Sequence, residues 1–185
     1  MTEKKPLTTQ VPAGNSITIE TERLRLRMLK TSDLDNLATL FADPAVMRYV
    51  GTGEPATRDE AEKALASIIA HWEREGFGRW AIEDKTTGEF VGYGGLRSLS
   101  GTPEVVYHFA QRHWGKGFAT EMARACLQFG FNVKGFERII AIAKPENSAS
   151  IHVMKKLGMH FEKQTSYYGI EVVEYSITAT EFNAR

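Results

Sequence analysis

Between positions 23 and 28 the chain alternates without a break: Leu24, Leu26 and Met28 are apolar, while Arg23, Arg25 and Arg27 are charged. A period of two puts each set on its own face of an extended chain, which makes this a half-buried strand. The period then lengthens. Leu34, Leu37, Leu40 and Phe41 recur at helical spacing behind Ser32 and Asp35, a weak capping box because Asp is the poorer N3 partner. Asp43-Pro44 opens a second, short helix, since proline suits the first helical position. Thr57 and Glu60 form a regular capping box before the apolar stripe Ala61, Leu65, Ile68 and Trp72, and Gly76 is a natural stop.

Past Gly76 the pattern returns to strands, predicted over 79–83, 90–96 and 104–110 with turn-like links at 84–89 and 98–103. Links this short predict antiparallel neighbours. The second half predicts a helix over 116–131, a strand over 138–143, a helix over 148–157 and strands over 161–168 and 171–178. Strand, helices, meander and then alternating helices and strands make a single mixed α/β domain. It is expected to span 17–185, with residues 1–16 as a flexible N-terminal tail.

Composition narrows the function classes. Lys+Arg and Asp+Glu both number 23, so the net charge is zero and the basic footprint usual for nucleic-acid binding is missing. No apolar run approaches the ~20 residues that span a membrane, and the first residues lack a signal-peptide core. The expected compartment is the cytoplasm. The one cysteine, Cys126, sits in a helical pattern with Ala123, Ala125 and Phe129 and reads as a small buried residue rather than a nucleophile. The histidines, at 71, 108, 113, 152 and 160, form no paired ligand spacing, so no metal is expected. His108 shares strand parity with Glu104, which allows a joint active-site role, but reads first as exposed or core-packed; Trp72, Phe77 and Trp80 likewise read as core rather than as a groove lining.

The chemistry concentrates between Tyr107 and Thr120, Tyr-His-Phe-Ala-Gln-Arg-His-Trp-Gly-Lys-Gly-Phe-Ala-Thr. A strand ends, a short loop carries Arg112, Gly115 and Gly117, and a helix begins at once. Glycines let several N–H groups converge there, and the helix start adds unpaired donors and the positive end of its dipole. The result is a seat for a phosphate or pyrophosphate, unless the glycines only relieve strain. Lys116 is followed by Gly117 rather than Ser or Thr, which disfavours a Walker loop, and Thr120 fills the third glycine position of the dinucleotide fingerprint.

With Arg112-x-x-Gly115-x-Gly117 the chain resembles the coenzyme A loop of the GNAT superfamily of N-acetyltransferases. The segments beginning at Thr21, Asp43, Gly76 and Trp114, together with 145–150 and 156–159, resemble the branch that acetylates ribosomal protein N-termini, the RimJ/RimL type. The resemblance covers about 17–178. It implies a GNAT fold: a mostly antiparallel twisted sheet of six to seven strands, flanked by helices and splayed at a cleft for acetyl-CoA. It also implies a cofactor set of Phe109, Ala110, Arg112, Trp114, Gly115, Lys116, Gly117, Phe118, Ala119, Thr120, Asn147 and Ser150. Most of these would act through the backbone.

The resemblance further suggests Glu104 as general base and Ser150 as proton donor to the leaving thiolate, with Asn147 bonding the pantetheine arm. Each has a plainer reading: Glu104 as a solvated charge at a strand start, and Asn147 or Ser150 as the cap of the next helix. The tyrosines at 167, 168 and 175 read as packing residues. Where relatives carry glycine before the tyrosine, this chain has Val106, which would narrow the acceptor side. Neutralising an α-amine of pKa near ~8 at pH 7 costs only about 1.4 kcal/mol, against roughly 4.6 for a lysine near ~10.4. An α-amine therefore needs less help from a base, and the resemblance implies a protein or peptide α-amine as the acceptor, with a small-molecule amine or a non-catalytic acetyl-CoA-binding module as alternatives. The protein is expected to be a monomer or homodimer.

Overall fold

The computed structural model describes residues 8–10 and 17–184. Its strands run β1 Thr8–Gln10, β2 Thr18–Glu20, β3 Leu24–Met28, β4 Arg79–Asp84, β5 Phe90–Leu99, β6 Thr102–Phe109, β7 Arg138–Ala143, β8 His160–Tyr167 and β9 Ile170–Thr178. Among the described residues they form one sheet of nine strands in the order β1-β2-β3-β4-β5-β6-β7-β9-β8. The helices are α1 Leu34–Ala42, α2 Pro44–Met47, α3 Arg58–Glu75, α4 Phe118–Asn132, α5 Ser148–Leu157 and α6 Ala179–Asn183. No helix among the described residues is long and apolar enough to cross a membrane.

The sheet exceeds the expected six to seven strands because β1 and β2 extend one edge. Thr8 to Gln10 pair antiparallel with Glu20 to Thr18, so part of the segment read as a flexible tail is a strand. The rest of that segment lies outside the described residues. Strands this short are specified by backbone pairing rather than by hydrophobic period, which is why the pattern did not reveal them. α6 was also missed, although its signal is present: the Thr178 side chain accepts the Glu181 N–H and the Glu181 carboxylate accepts the Thr178 N–H, a complete capping box.

Helix α3 begins at its predicted Thr57–Glu60 box and ends at Gly76, whose φ of 66° is left-handed. The core stripe of α3 packs Trp72 edge-on against Trp80, which meets Phe129 of α4 in the same way. Cys126 is fully buried, and burial pushes its thiol well above the usual range. His71 is buried too, with Nδ1 against the Phe77 carbonyl (2.9 Å) and Nε2 accepting from the Ser98 N–H (3.3 Å).

The start of α1 differs from expectation. Ser32 and Asp35 form no box; instead the buried carboxylate of Asp33 accepts the Lys30 N–H (2.8 Å) and both Nη groups of Arg27 (2.8 and 2.7 Å). Arg27 faces inward because it also holds Glu83 on the neighbouring strand β4. Burial raises the Asp33 pKa, but the Arg27 and Lys30 hydrogen bonds outweigh it and leave the group below its ordinary value. Asp33→Asn should therefore lower stability by about 1–2 kcal/mol at pH 7, measured by urea unfolding, since Arg27 loses one of its two carboxylates and keeps only Glu83. A depressed folded pKa contributes stability above the unfolded value and loses it as pH falls. The gap between variant and parent should accordingly close below pH ~4, and a pH-independent gap would assign the effect to packing.

One junction in the sheet is unlike the others. β5 and β6 pair along their length, from Gly92↔Phe109 to Leu99↔Thr102, and β7 pairs β9 from Arg138↔Thr178 to Ala143↔Val173. β6 and β7 are parallel and meet at a single register pair, Glu104↔Ile140. Beyond Glu104 they diverge, and the β6 edge from Val105 to Phe109 faces the gap with no strand partner.

Candidate active site

The gap opens onto a cleft of about 910 Å³ that reaches both faces of the sheet. Side chains of β6 alternate between those faces. On one, Phe109 meets Phe118 of α4, and Tyr107 reaches Ser150 of α5. On the other, Glu104, Val106 and His108 lie with Arg79, Tyr93 and Arg97 of the adjoining strands, and Phe41 of α1 packs edge-on against Tyr93. The splay joins the two halves.

The first half is built around the start of α4. The helix begins at Phe118, two residues later than predicted, because Gly117 takes a φ of 81° that helical residues do not adopt. No side chain caps it, so the N–H groups of its first turn keep their free donors on the cleft wall formed by Gly117, Phe118, Ala119 and Thr120. Gly115, with φ 74°, has nothing within 4 Å of where a Cβ would stand, which keeps the seat open.

A brace from β3 holds the loop. Arg23 donates to the Lys116 carbonyl (2.9 Å), pairs with Glu121 (2.6 Å), and lies 4.8 Å above the Phe118 ring. The Trp114 indole N–H donates to the Phe109 carbonyl (2.7 Å), tying the loop to the strand. Free donors, open space and rigid walls fit a phosphate-bearing coenzyme.

Of the residues expected to line this half, Phe109, Trp114, Gly115, Gly117, Phe118, Ala119, Thr120, Asn147 and Ser150 do so. Ala110, Arg112 and Lys116 stand behind it. Arg112 is turned away into an ion pair with Glu89, and Lys116 contributes its carbonyl to Arg23. Asn147 takes the plainer of its two readings: its side-chain oxygen accepts the Ser150 N–H (3.1 Å) and caps α5. That cap sets Ser150 at the cleft, where its Oγ lies 2.9 Å from the Tyr107 hydroxyl. Burial drives the Tyr107 pKa up to about 12, so the phenol stays protonated and can be the donor in this pair.

In the second half Glu104 is buried rather than solvated, at 1% exposure, and lies 2.5 Å from Arg97. Burial raises its pKa, and the adjacent Arg97 guanidinium opposes the rise. His108 proves to be neither a surface nor a core residue: it lines the cleft and stacks on Tyr93 at 4.9 Å. Burial, with Arg79 and Arg97 nearby, pushes its pKa down to about 3, so the ring is neutral. Tyr167 and Tyr168 close the far wall; the former donates to Glu174 (2.8 Å). Trp72, Phe77 and Trp80 are core, as expected.

Sequence reasoning missed Tyr107, Arg79 and Arg97, and ranked a role for His108 beside Glu104 below surface exposure or core packing. Strand parity with Phe109 was a usable signal for Tyr107. The arginines reach the site through strand register, which no local pattern encodes.

Comparison with known proteins agrees with this geometry. Residues 23–160 match the family described as an acetyltransferase (GNAT) domain. YkkB of Bacillus subtilis is 38% identical over 165 residues, 84% of this chain and 92% of that protein. An uncharacterized N-acetyltransferase of Bacillus licheniformis, p20, is 33% identical over 151 residues, 80% of this chain and 83% of its own length. A GNAT-family acetyltransferase structure from Bacillus anthracis has a TM-score of 0.78 at 26% identity, covering 89% of this chain and 99% of that one.

Proposed function

From the premise that the chain belongs to the GNAT acetyltransferase family, and so is an acetyl-CoA-dependent N-acetyltransferase, we propose that its acceptor is an α-amine, foremost that of a protein or peptide N-terminus. The observation that supports direct transfer is the splay at Glu104↔Ile140. Through that gap the phosphate seat on one face communicates with a buried carboxylate on the other, so donor and acceptor can meet without a covalent enzyme intermediate. The single cysteine is buried in α4 and takes no part.

Acetyl-CoA supplies an acetyl group activated as a thioester. The first turn of α4 holds its phosphates by N–H donors, and the unpaired β6 edge between Val105 and Phe109 offers backbone groups to an extended arm. Glu104 takes the proton of the attacking amine, directly or through one water, and its raised pKa brings it nearer neutral pH, where a general base works best. An α-amine suits this base, because its conjugate acid is only about one unit above neutral. Tyr107 can donate to the Ser150 Oγ, so that a proton passed from the serine to the departing sulfur is replaced along the hydrogen bond from the phenol, which solvent then reprotonates.

Ser150→Ala should lower kcat by roughly 10- to 100-fold while the acetyl-CoA Kd, read by calorimetry, stays within about threefold. Turnover equal to the parent at saturating acceptor would remove Ser150 from the proton path.

A further inference from the structure

The acceptor half of the cleft carries a charge imbalance that the transfer chemistry leaves unused. Register places its groups: Arg79 of β4 stands opposite Gly95 of β5, which stands opposite Val106 of β6. The next rows are Tyr93 with His108 on one side and Arg97 with Glu104 on the other. Arg79, Arg97, Glu104, Val106 and His108 line the cleft together on this face, while the place a Gly95 side chain would take is filled by the Gly78 carbonyl and the Trp80 ring. Glu104 is matched by Arg97 at 2.5 Å. Arg79 is not matched: among the described residues no carboxylate lies within ion-pair distance of it, and its neighbour is the Tyr93 hydroxyl.

Burial works against the Arg79 charge, and His108 is held neutral partly by Arg79 and Arg97. Two guanidiniums, Arg79 and Arg97, share this floor with a single buried carboxylate, Glu104, so its balance is positive. The acidic residues that also line the cleft, Glu54 and Glu60, are exposed at its rim, and the Glu60 carboxylate is engaged by Thr57. A guanidinium this enclosed, lacking a carboxylate, is a site for one. The same field disfavours a second cation on the acceptor and favours the neutral form of the reacting amine beside it.

We infer that the acceptor bears a carboxylate a few bonds from its nucleophilic nitrogen, with Arg79 binding the carboxylate while Glu104 serves the amine. This rests on the acetyl-transfer reading and narrows its substrate class. A free α-amino acid and a peptide N-terminus with an acidic first residue share the chemistry; a polyamine lacks it.

The test compares matched acceptors by coenzyme A release: L-aspartate and L-leucine against their fully amidated forms, an N-terminal Asp peptide against its Asn counterpart, and spermidine. The carboxylate member of at least one pair should exceed its amide in kcat/KM by roughly 10- to 100-fold. Preference in the amino acids alone identifies a small-molecule acceptor, and preference in the peptides alone identifies a terminus. Arg79→Gln should erase the ratio and leave the acetyl-CoA Kd within about threefold, whereas Arg79→Lys, keeping the charge, should retain part of it.

Pairs that react equally, spermidine as the best acceptor, or a folded R79Q that keeps the ratio would each overturn the inference and leave acetyl transfer standing. Absence of turnover with every acceptor, despite acetyl-CoA binding, would instead overturn the transfer reading. Calorimetric titration of the same pairs into the coenzyme A complex then decides the subsite separately: aspartate binding lost in R79Q upholds it, and equal binding of acid and amide overturns it.

Discussion

Gly117→Trp is expected to abolish measurable acetyl-CoA binding while leaving a folded protein. Two effects add. At φ 81° any L-residue carries a left-handed strain of roughly 1–2 kcal/mol, which loosens the first turn of α4 where the donors converge. The indole must also find room, and the atom nearest to its Cβ would be Arg23 Nη2 at 3.5 Å. It therefore either displaces the brace that Arg23 makes to Lys116 and Glu121 or fills the seat itself. A loss of at least about 100-fold in calorimetric Kd, ~2.7 kcal/mol, is the expected reading. Gly117→Ala separates the causes, since it imposes the strain without the bulk and should weaken binding far less. Should a folded Gly117→Trp protein bind acetyl-CoA normally, the phosphates sit elsewhere.

Glu104→Gln should reduce kcat by roughly 100- to 1000-fold, the range of a general base, without a comparable change in acetyl-CoA affinity. Its partner Arg97 is a third exposed and can be hydrated once the carboxylate is gone, so the fold should survive. The pH profile is the sharper test. Burial raises the Glu104 pKa and Arg97 pulls it back, but the base acts only when ionised. Activity of the parent should fall as pH drops through that raised value, and the acidic limb should vanish in the variant. A variant that retains both its rate and the acidic limb would return Glu104 to a structural partner of Arg97.

The extent of legibility differs between the two halves of the cleft. The coenzyme half is local in sequence: Gly115, Gly117 and the start of α4 lie within a few residues, so chain pattern and cap chemistry suffice to place them. Even there the roles of Arg112 and Lys116 could not be assigned, because Glu89, which pairs with the Arg112 side chain, and Arg23, which donates to the Lys116 carbonyl, come from distant segments. Asn147 and Ser150 were legible as a pair three residues apart, but whether the amide capped the helix or faced a ligand depended on the conformation of one turn.

The acceptor half was nearly invisible. Arg79, Tyr93, Arg97, Glu104 and His108 come from three strands, and their proximity follows from registers such as Arg97↔Glu104 and Tyr93↔His108. A shift of one residue in any of those pairings would turn each side chain to the other face.

By itself the amino-acid sequence determined the class of the fold, most elements with their caps, the glycine-bearing loop that opens α4 and the family resemblance. Those are properties of period, turn chemistry and short spacing, which act over a few residues. Only the tertiary structure decided that β6 and β7 part after Glu104, that Glu104 is buried against Arg97, that Tyr107 meets Ser150, and that Arg79 stands without a carboxylate. These are juxtapositions across many residues of chain, and burial then alters the chemistry of each group by removing water, a change that no residue's identity contains.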